Sequence, residues 1–204
     1  MAAANILLDG FPTEYKGYPL NTDFRVGILI SLLLKDKDVD EKLKILQAIN
    51  LLYSDEVPPD PQEAIDGVFW FLSCGRAGII YKDGYREEKP DEECLDFDFD
   101  QLDIWGAFWA KGIDLTKANM HWFQFMSAIG NLGDCPLTTK MGYRATSLKD
   151  MKGETRKYYK ELKEKYKIRE TTNKQEIVDM IEEDEKINGK YHAKLLRAQY
   201  EHIL

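Results

Sequence analysis

The residues in this sequence that first suggest chemistry are the alternating acids of Asp96-Phe-Asp-Phe-Asp100. Carboxylates at positions one, three and five match the first ligands of a calcium loop, where hard oxygens close around the ion. The rest of such a loop is missing. Position six is Gln101 where the turn needs Gly, and position twelve is Ala107 where a bidentate Glu should close the cage. The spacing therefore reads as acids at a helix N-terminus that complement its dipole, with Phe97 and Phe99 as packing residues.

Nucleophilic catalysis needs a Ser, Cys or Thr with a base and an orienting group, and the only imidazoles are His121, His192 and His202. His121 lies beside Trp122 in an aromatic stretch, which suits a packed histidine. His192 and His202 fall in a polar tail. No phosphate loop, GxGxxG, HExxH or GxSxG pattern occurs. Cys74, Cys94 and Cys135 lie 20 and 41 residues apart without a CxxC pair, which speaks against a disulfide framework and a zinc site and suits a reducing compartment. The expectation is a protein with no catalytic residue, metal or cofactor, one that is not an enzyme.

The chain has 204 residues, 28 Lys plus Arg against 36 Asp plus Glu, and a net charge of −8. With 44% hydrophobic and 12% aromatic residues it can build a core without staples, and wholesale disorder is excluded. The acidic balance argues against general nucleic-acid binding. Residues 83 to 103 hold ten acids against Arg86 and Lys89, so this loop equals the whole chain's charge and reads as a solvated segment. No basic-plus-apolar leader opens the sequence, and the run from Val26 to Leu34, broken by Ser31, is far too short to span a membrane. A cytoplasmic protein is expected.

The elements that must position these residues are mostly helical. Residues 5 to 20 predict a small β-hairpin around an Asp9-Gly10 turn. Helices are predicted over about 23–35, 40–53, 61–74, 99–111, 116–130 and 150–168, from capping residues and apolar spacing. The clearest start is Asp60-Pro61-Gln62-Glu63, with Asp at N-cap, Pro at N1 and Glu at N3. Gly112 should close the helix over 99–111, and Thr116 should cap the next. A turn-like stretch follows Gly130 up to Ser147. The helix from 150 sets Thr155, Tyr158, Tyr159, Leu162 and Tyr166 on one face and lysines on the other, which favours packing over a nucleic-acid role. Beyond 169, Thr172-Asn173 opens a charged helix that Asn188-Gly189 breaks, giving an appended helical hairpin. The architecture is thus a mainly α, bundle-like domain over 1–168 with a tail over 169–204.

The apolar faces are wider than one packing seam requires. Trp70 and Phe71 flank the stripe of Ile65, Val68, Phe69 and Leu72, while Trp105 and Trp109 share a face with Leu102. Either these helices are surrounded, or part of the aromatic surface is left for another chain. The candidate partner-binding residues are Trp70, Trp105, Trp109, Trp122 and Phe125.

Three stretches carry a resemblance: YKGYPLNTDFRVGI at 15–28, DIWGAFWAKGIDLTKANMHWFQFMSAIGNL at 103–132, and YRATSLKDMKGETRKYYKELKEKYKI at 143–168. In them the chain resembles the bacteriophage gene-product-fifteen family of siphophages and prophages of Gram-positive hosts. The matching points are Asn21 to Arg25, Gly112 to Leu115, His121 and Trp122 with Phe125, and Tyr143 with Arg144. The resemblance implies a non-enzymatic tail assembly chaperone that binds the tape-measure protein, and in some settings the tail-tube protein or a second copy of itself, in the host cytoplasm. A programmed frameshift that extends the product is common in such chaperones. The alternatives are a structural virion component of the tail or head completion and, behind it, a nucleic-acid-binding phage regulator acting through the basic helix.

Overall fold

The computed structural model describes residues 5–76, 93–169, 174–190, 194 and 196–197. Among them the protein is mainly α-helical, with nine helices and one two-stranded antiparallel hairpin. The chain forms two compact units, 1–168 and 169–204.

In the first unit, α1 spans Ile6–Asp9, β1 Glu14–Tyr15 and β2 Tyr18–Pro19. The hairpin expected over 5–20 is therefore shorter and its turn lies elsewhere. Residues 6–9 wind into a helical turn because Asn5 accepts the Leu7 N–H while the Asp9 carboxylate accepts the Asn5 N–H. The hairpin turns at Lys16 and Gly17, whose φ of 51° and 92° give the paired positive φ that suits two-residue hairpin turns. Tyr15 then faces Tyr18.

Next come α2 (Phe24–Lys35), α3 (Glu41–Leu52) and α4 (Pro61–Leu72), each capped by an aspartate. Asp23, Asp40 and Asp60 accept the N–H groups of Arg25, Lys42 and Gln62 at 2.8, 3.0 and 3.0 Å. The acidic segment expected to be a solvated loop lies, up to Glu92, outside the described residues. α5 (Gln101–Trp109) closes at Gly112 with φ of 81°, as its sequence anticipates. The following helix does not start at Thr116. Asp114 holds the Thr116 N–H and hydroxyl in a turn, and α6 (Trp122–Gly130) begins after His121, whose ring serves as the cap. α7 (Pro136–Ala145) occupies the stretch expected to be turn-like, and α8 spans Gly153–Tyr166.

The core gathers around Trp122. Phe71 and Phe125 lie against its ring, and Ile30, Leu52, Val68, Phe108 and Leu137 are among the fully buried residues around them. Residues 22–24 pair with 120–122: the Trp122 N–H reaches the Thr22 carbonyl at 2.8 Å and the Phe24 N–H reaches the Met120 carbonyl at 3.0 Å. This pairing sets the start of α2 beside the start of α6. Gly27 is what lets the indole lie on α2, since a Cβ there would fall 2.2 Å from the Trp122 ring. Gly67 plays the same part under Tyr53, whose hydroxyl would be 2.0 Å from an added Cβ.

In the second unit, α9 spans Lys174–Asn188 and ends at Gly189, with φ of 83°. Most of the second arm of the tail hairpin, with His192 and His202, lies outside the described residues.

Candidate functional site

The positions that carry the family resemblance are the fasteners of the first unit. Arg25 donates to the carbonyls of Leu115 and Ala118 at 2.8 and 3.1 Å, with its guanidinium 4.4 Å from the Phe24 ring. One Arg therefore clamps the Gly112-to-Leu115 stretch onto the start of α2. His121 accepts the Phe123 N–H at Nδ1 (3.0 Å) and donates from Nε2 to the Pro12 carbonyl (2.9 Å), while Phe11 stacks on its ring. Both ring nitrogens are thus used, in the neutral tautomer that carries its proton on Nε2. Burial pushes the pKa of His121 below its ordinary value, with the Pro12 bond opposing.

Two of the three alternating acids, Asp96 and Asp100, are committed to other partners. Asp100 and Arg144 form a buried bidentate pair, at 2.6 and 2.9 Å, and the same guanidinium donates to the carbonyls of Cys94 (3.0 Å) and Tyr166 (2.5 Å). Asp96 pairs with Lys35 and also accepts the N–H groups of Asp98 and Phe99 at 2.8 and 2.7 Å. Burial works to raise its pKa, but the Lys35 ammonium and those two N–H groups outweigh it and hold the carboxyl below its usual range. Among the described residues no group of three or more His, Cys, Asp or Glu could hold a metal ion.

The five aromatic candidates divide sharply. Trp122 and Phe125 are fully buried, so they serve the core and present nothing to a partner. Trp70 is half-buried, packed between Tyr15 and Phe123 at ring distances of 5.2 and 5.4 Å. Trp105 and Trp109 stack on each other, centroids 5.1 Å apart and planes 20° from parallel, and both stand in solvent at 37% and 55% exposure. Leu102 joins them at 79%. Residues 102, 105, 106 and 109 recur at three- and four-residue steps, so they form one outer face of α5, opposite the inward Ile104, Ala107 and Phe108. Phe99 extends that face at its N-terminal end, with the Arg144 guanidinium 5.6 Å from its ring. Gly106 lies within it, and a Cβ there would meet nothing within 4 Å. The flanking charges Asp103 and Lys140 neutralise each other at 2.5 Å. The sequence places Leu102 on the Trp face and, by its alternation with acids, predicts a packed Phe99, whereas the structure leaves Phe99 41% exposed.

The basic helix α8 also differs from expectation. Tyr159, Leu162 and Tyr166 turn toward α7, where Tyr143 stacks on Tyr166 at 5.6 Å, but Thr155 and Tyr158 are exposed. Lys163 turns inward instead and donates to the carbonyls of Arg144 and Thr146 at 2.8 and 2.9 Å, closing the C-terminus of α7. Elsewhere, burial pushes the Cys74 thiol up to about 11. Among the described residues no helix is long and apolar enough to cross a membrane.

No curated protein and no solved structure matches this chain. The family model described as bacteriophage Gp15 protein matches residues 7–168, which is nearly the whole of the first unit. The matched span contains every fastener named above, from the Asp23 cap to the Arg144 pair, and the chain belongs to the bacteriophage Gp15 protein family.

Proposed function

We propose that this phage protein is a tail assembly chaperone: it works by binding, without catalysis, and keeps the tape-measure protein soluble in the bacterial cytoplasm until tail-tube subunits assemble around it. The observation that carries this reading is the outer face of α5, where a stacked tryptophan pair and Leu102 stay in solvent although the protein has an ample aromatic core. Exposed Trp anchors of this kind are what transient binding of an amphipathic helix uses, with its i, i+3, i+4, i+7 stripe laid on the aromatic surface. Membership of the phage family and the capping and core roles of His121, Trp122 and Arg144 are in keeping with a binding protein.

Co-expression with the tape-measure protein of the same phage tests it. The expected result is a soluble tape measure that co-purifies with this chain, and loss of both with Leu102→Lys or Trp109→Ser, both at exposed positions. A tape measure that stays insoluble, with this chain found instead in purified particles, would assign it to the virion structure and overturn the chaperone reading.

A further inference from the structure

A row of rings joins the N-terminal segment to the body of the first unit. Phe11, His121, Phe123, Trp70 and Tyr15 follow one another with centroids 5.0, 4.9, 5.4 and 5.2 Å apart. The two end rings belong to the N-terminal segment, and the three between them belong to α4 and to the start of α6. We infer that residues 5–12 form a releasable strap latched on His121, and that lifting it uncovers His121 and Phe123 as an apolar surface for an amphipathic helix of another chain.

The two halves of the segment are held very differently. From Thr13 onward it is tied down: the Leu20 N–H reaches the Thr13 carbonyl at 2.9 Å, Tyr15 faces Tyr18, and Lys16 pairs with Glu63 at 3.0 Å. Before Thr13, α1 buries no residue, and the bonds that shape it, among Asn5, Leu7 and Asp9, are internal. Its Leu7 and Leu8 stand 89% and 81% exposed. Among the described residues this half meets the body through the Pro12 carbonyl on His121 Nε2 and the face of Phe11 on the imidazole. Gly10 separates α1 from that latch with φ of 78° and ψ of −175°, a conformation essentially confined to glycine. A Cβ there would meet nothing within 4 Å, so no packing braces the bend. One neutral hydrogen bond and one ring stack are thus set against the entropy of ordering the whole strap. The latch is shallow beside the core, and it opens alone in roughly 0.1–10% of molecules at any moment.

Opening uncovers a neutral imidazole and the phenyl ring beneath it, which suits an apolar partner. Phe11 occupies the place that an anchor on the apolar stripe of a helix would take, so strap and partner compete for one seat. The choice of a helix as partner rests on the chaperone reading; the strap and its opening do not.

NMR on the full chain, labelled at its histidine ring nitrogens, tests the latch, because the Nε2 proton of His121 meets solvent when Pro12 lifts. The expected result is exchange that hardly changes in mild urea, whereas the amide of Ile30, in the buried middle of α2, exchanges faster with each increment, since it needs the large exposure of unfolding. Phe11→Ser should speed exchange at Nε2 about tenfold or more, and Phe11→Tyr, which keeps the ring, should leave it within about twofold. A labelled, Leu-rich amphipathic helical peptide, followed by fluorescence polarisation, should bind Phe11→Ser about fivefold or more tighter than the parent, because the closed state no longer competes. Exchange at Nε2 that follows urea as steeply as Ile30 overturns the strap. So does a Phe11→Ser chain, folded by circular dichroism, that binds the peptide no better than the parent. If that variant does not fold, the urea dependence of the parent decides alone. A strap that opens and yields to the peptide, in a chain that never solubilises the tape measure, would end the chaperone reading and leave the strap. A tape measure made soluble by a chain whose His121 proton exchanges only through global unfolding would do the reverse.

Discussion

Gly27 shows how one missing side chain fixes the centre of this fold. It lies on α2 under the flat of Trp122, and a methyl at that position would sit inside the van der Waals envelope of three ring atoms. The indole is fully buried among Phe71, Phe97 and Phe125, so it has little room to retreat. Gly27→Ala is expected to lower stability by about 1–3 kcal/mol, in spite of alanine's better helix propensity, because overpacking a rigid contact outweighs a gain of about 1 kcal/mol. Urea unfolding of the two proteins checks this. A variant as stable as the parent would show that Trp122 can move aside. The same logic explains why the aromatic residues could not be sorted in advance. Sequence spacing places Trp105, Trp109 and Trp122 on apolar faces alike, whereas which face is covered depends on a glycine in a distant helix and on where the chain returns.

At the scale of elements, what was legible follows from local chemistry. α2, α3 and α4 lie within two residues of their expected bounds because each begins with an aspartate that caps its own first turn. α1 was hidden because Ile6-Leu7-Leu8 is β-prone, and the turn signal of Asp9-Gly10 competed with the true turn at Lys16-Gly17. α6 begins later than its pattern implies because its cap is an imidazole, a side chain that cap preferences do not favour. α7 escapes the sequence reading because it holds few apolar residues and starts after Cys135, a residue that cap preferences do not favour; the inward Lys163 of α8 helps hold its end. That gives a test within a single helix. Lys163→Ala should cost about 1–2 kcal/mol, through the loss of charged hydrogen bonds to two carbonyls, whereas Lys160→Ala on the exposed side should stay within about 0.5 kcal/mol. Thermal unfolding of the two variants separates them, and equal effects would mean that Lys163 does not hold the end of α7.

For the molecule as a whole, the electrostatic arrangement predicts how stability follows pH. His121 is held neutral by burial, so its folded-state pKa lies below the ordinary 6.5 of the unfolded chain. Its contribution is complete above that value and is lost as pH falls from there toward the folded value, because the unfolded chain takes up the proton first. Protonation would also place a hydrogen on Nδ1, against the Phe123 N–H that it caps. Asp96 adds a second loss at lower pH. Its carboxyl is held below 3.8 when folded, so the stability it confers is present above that value and disappears as pH drops through the folded pKa. Melting temperatures measured from about pH 7.5 to about pH 3 should therefore fall in two stages. His121→Asn, which keeps a capping oxygen and removes the titration, should flatten the upper stage; if that stage is unchanged, His121 is not its source.

The buried pair of Asp100 and Arg144 has a consequence for how the protein is made. Its members are 44 residues apart, and the guanidinium is completed by the carbonyl of Tyr166, 22 residues further on. A ribosome adding roughly 5–20 residues per second releases Asp100 several seconds before those groups exist. In that interval, closing the native core around Asp100 would bury a carboxylate with no counter-charge, which is strongly unfavourable. The nascent chain therefore cannot complete this domain from its N-terminal end, and α5 and α6 wait, aromatic surfaces uncovered, until the last helix of the first unit has left the exit tunnel.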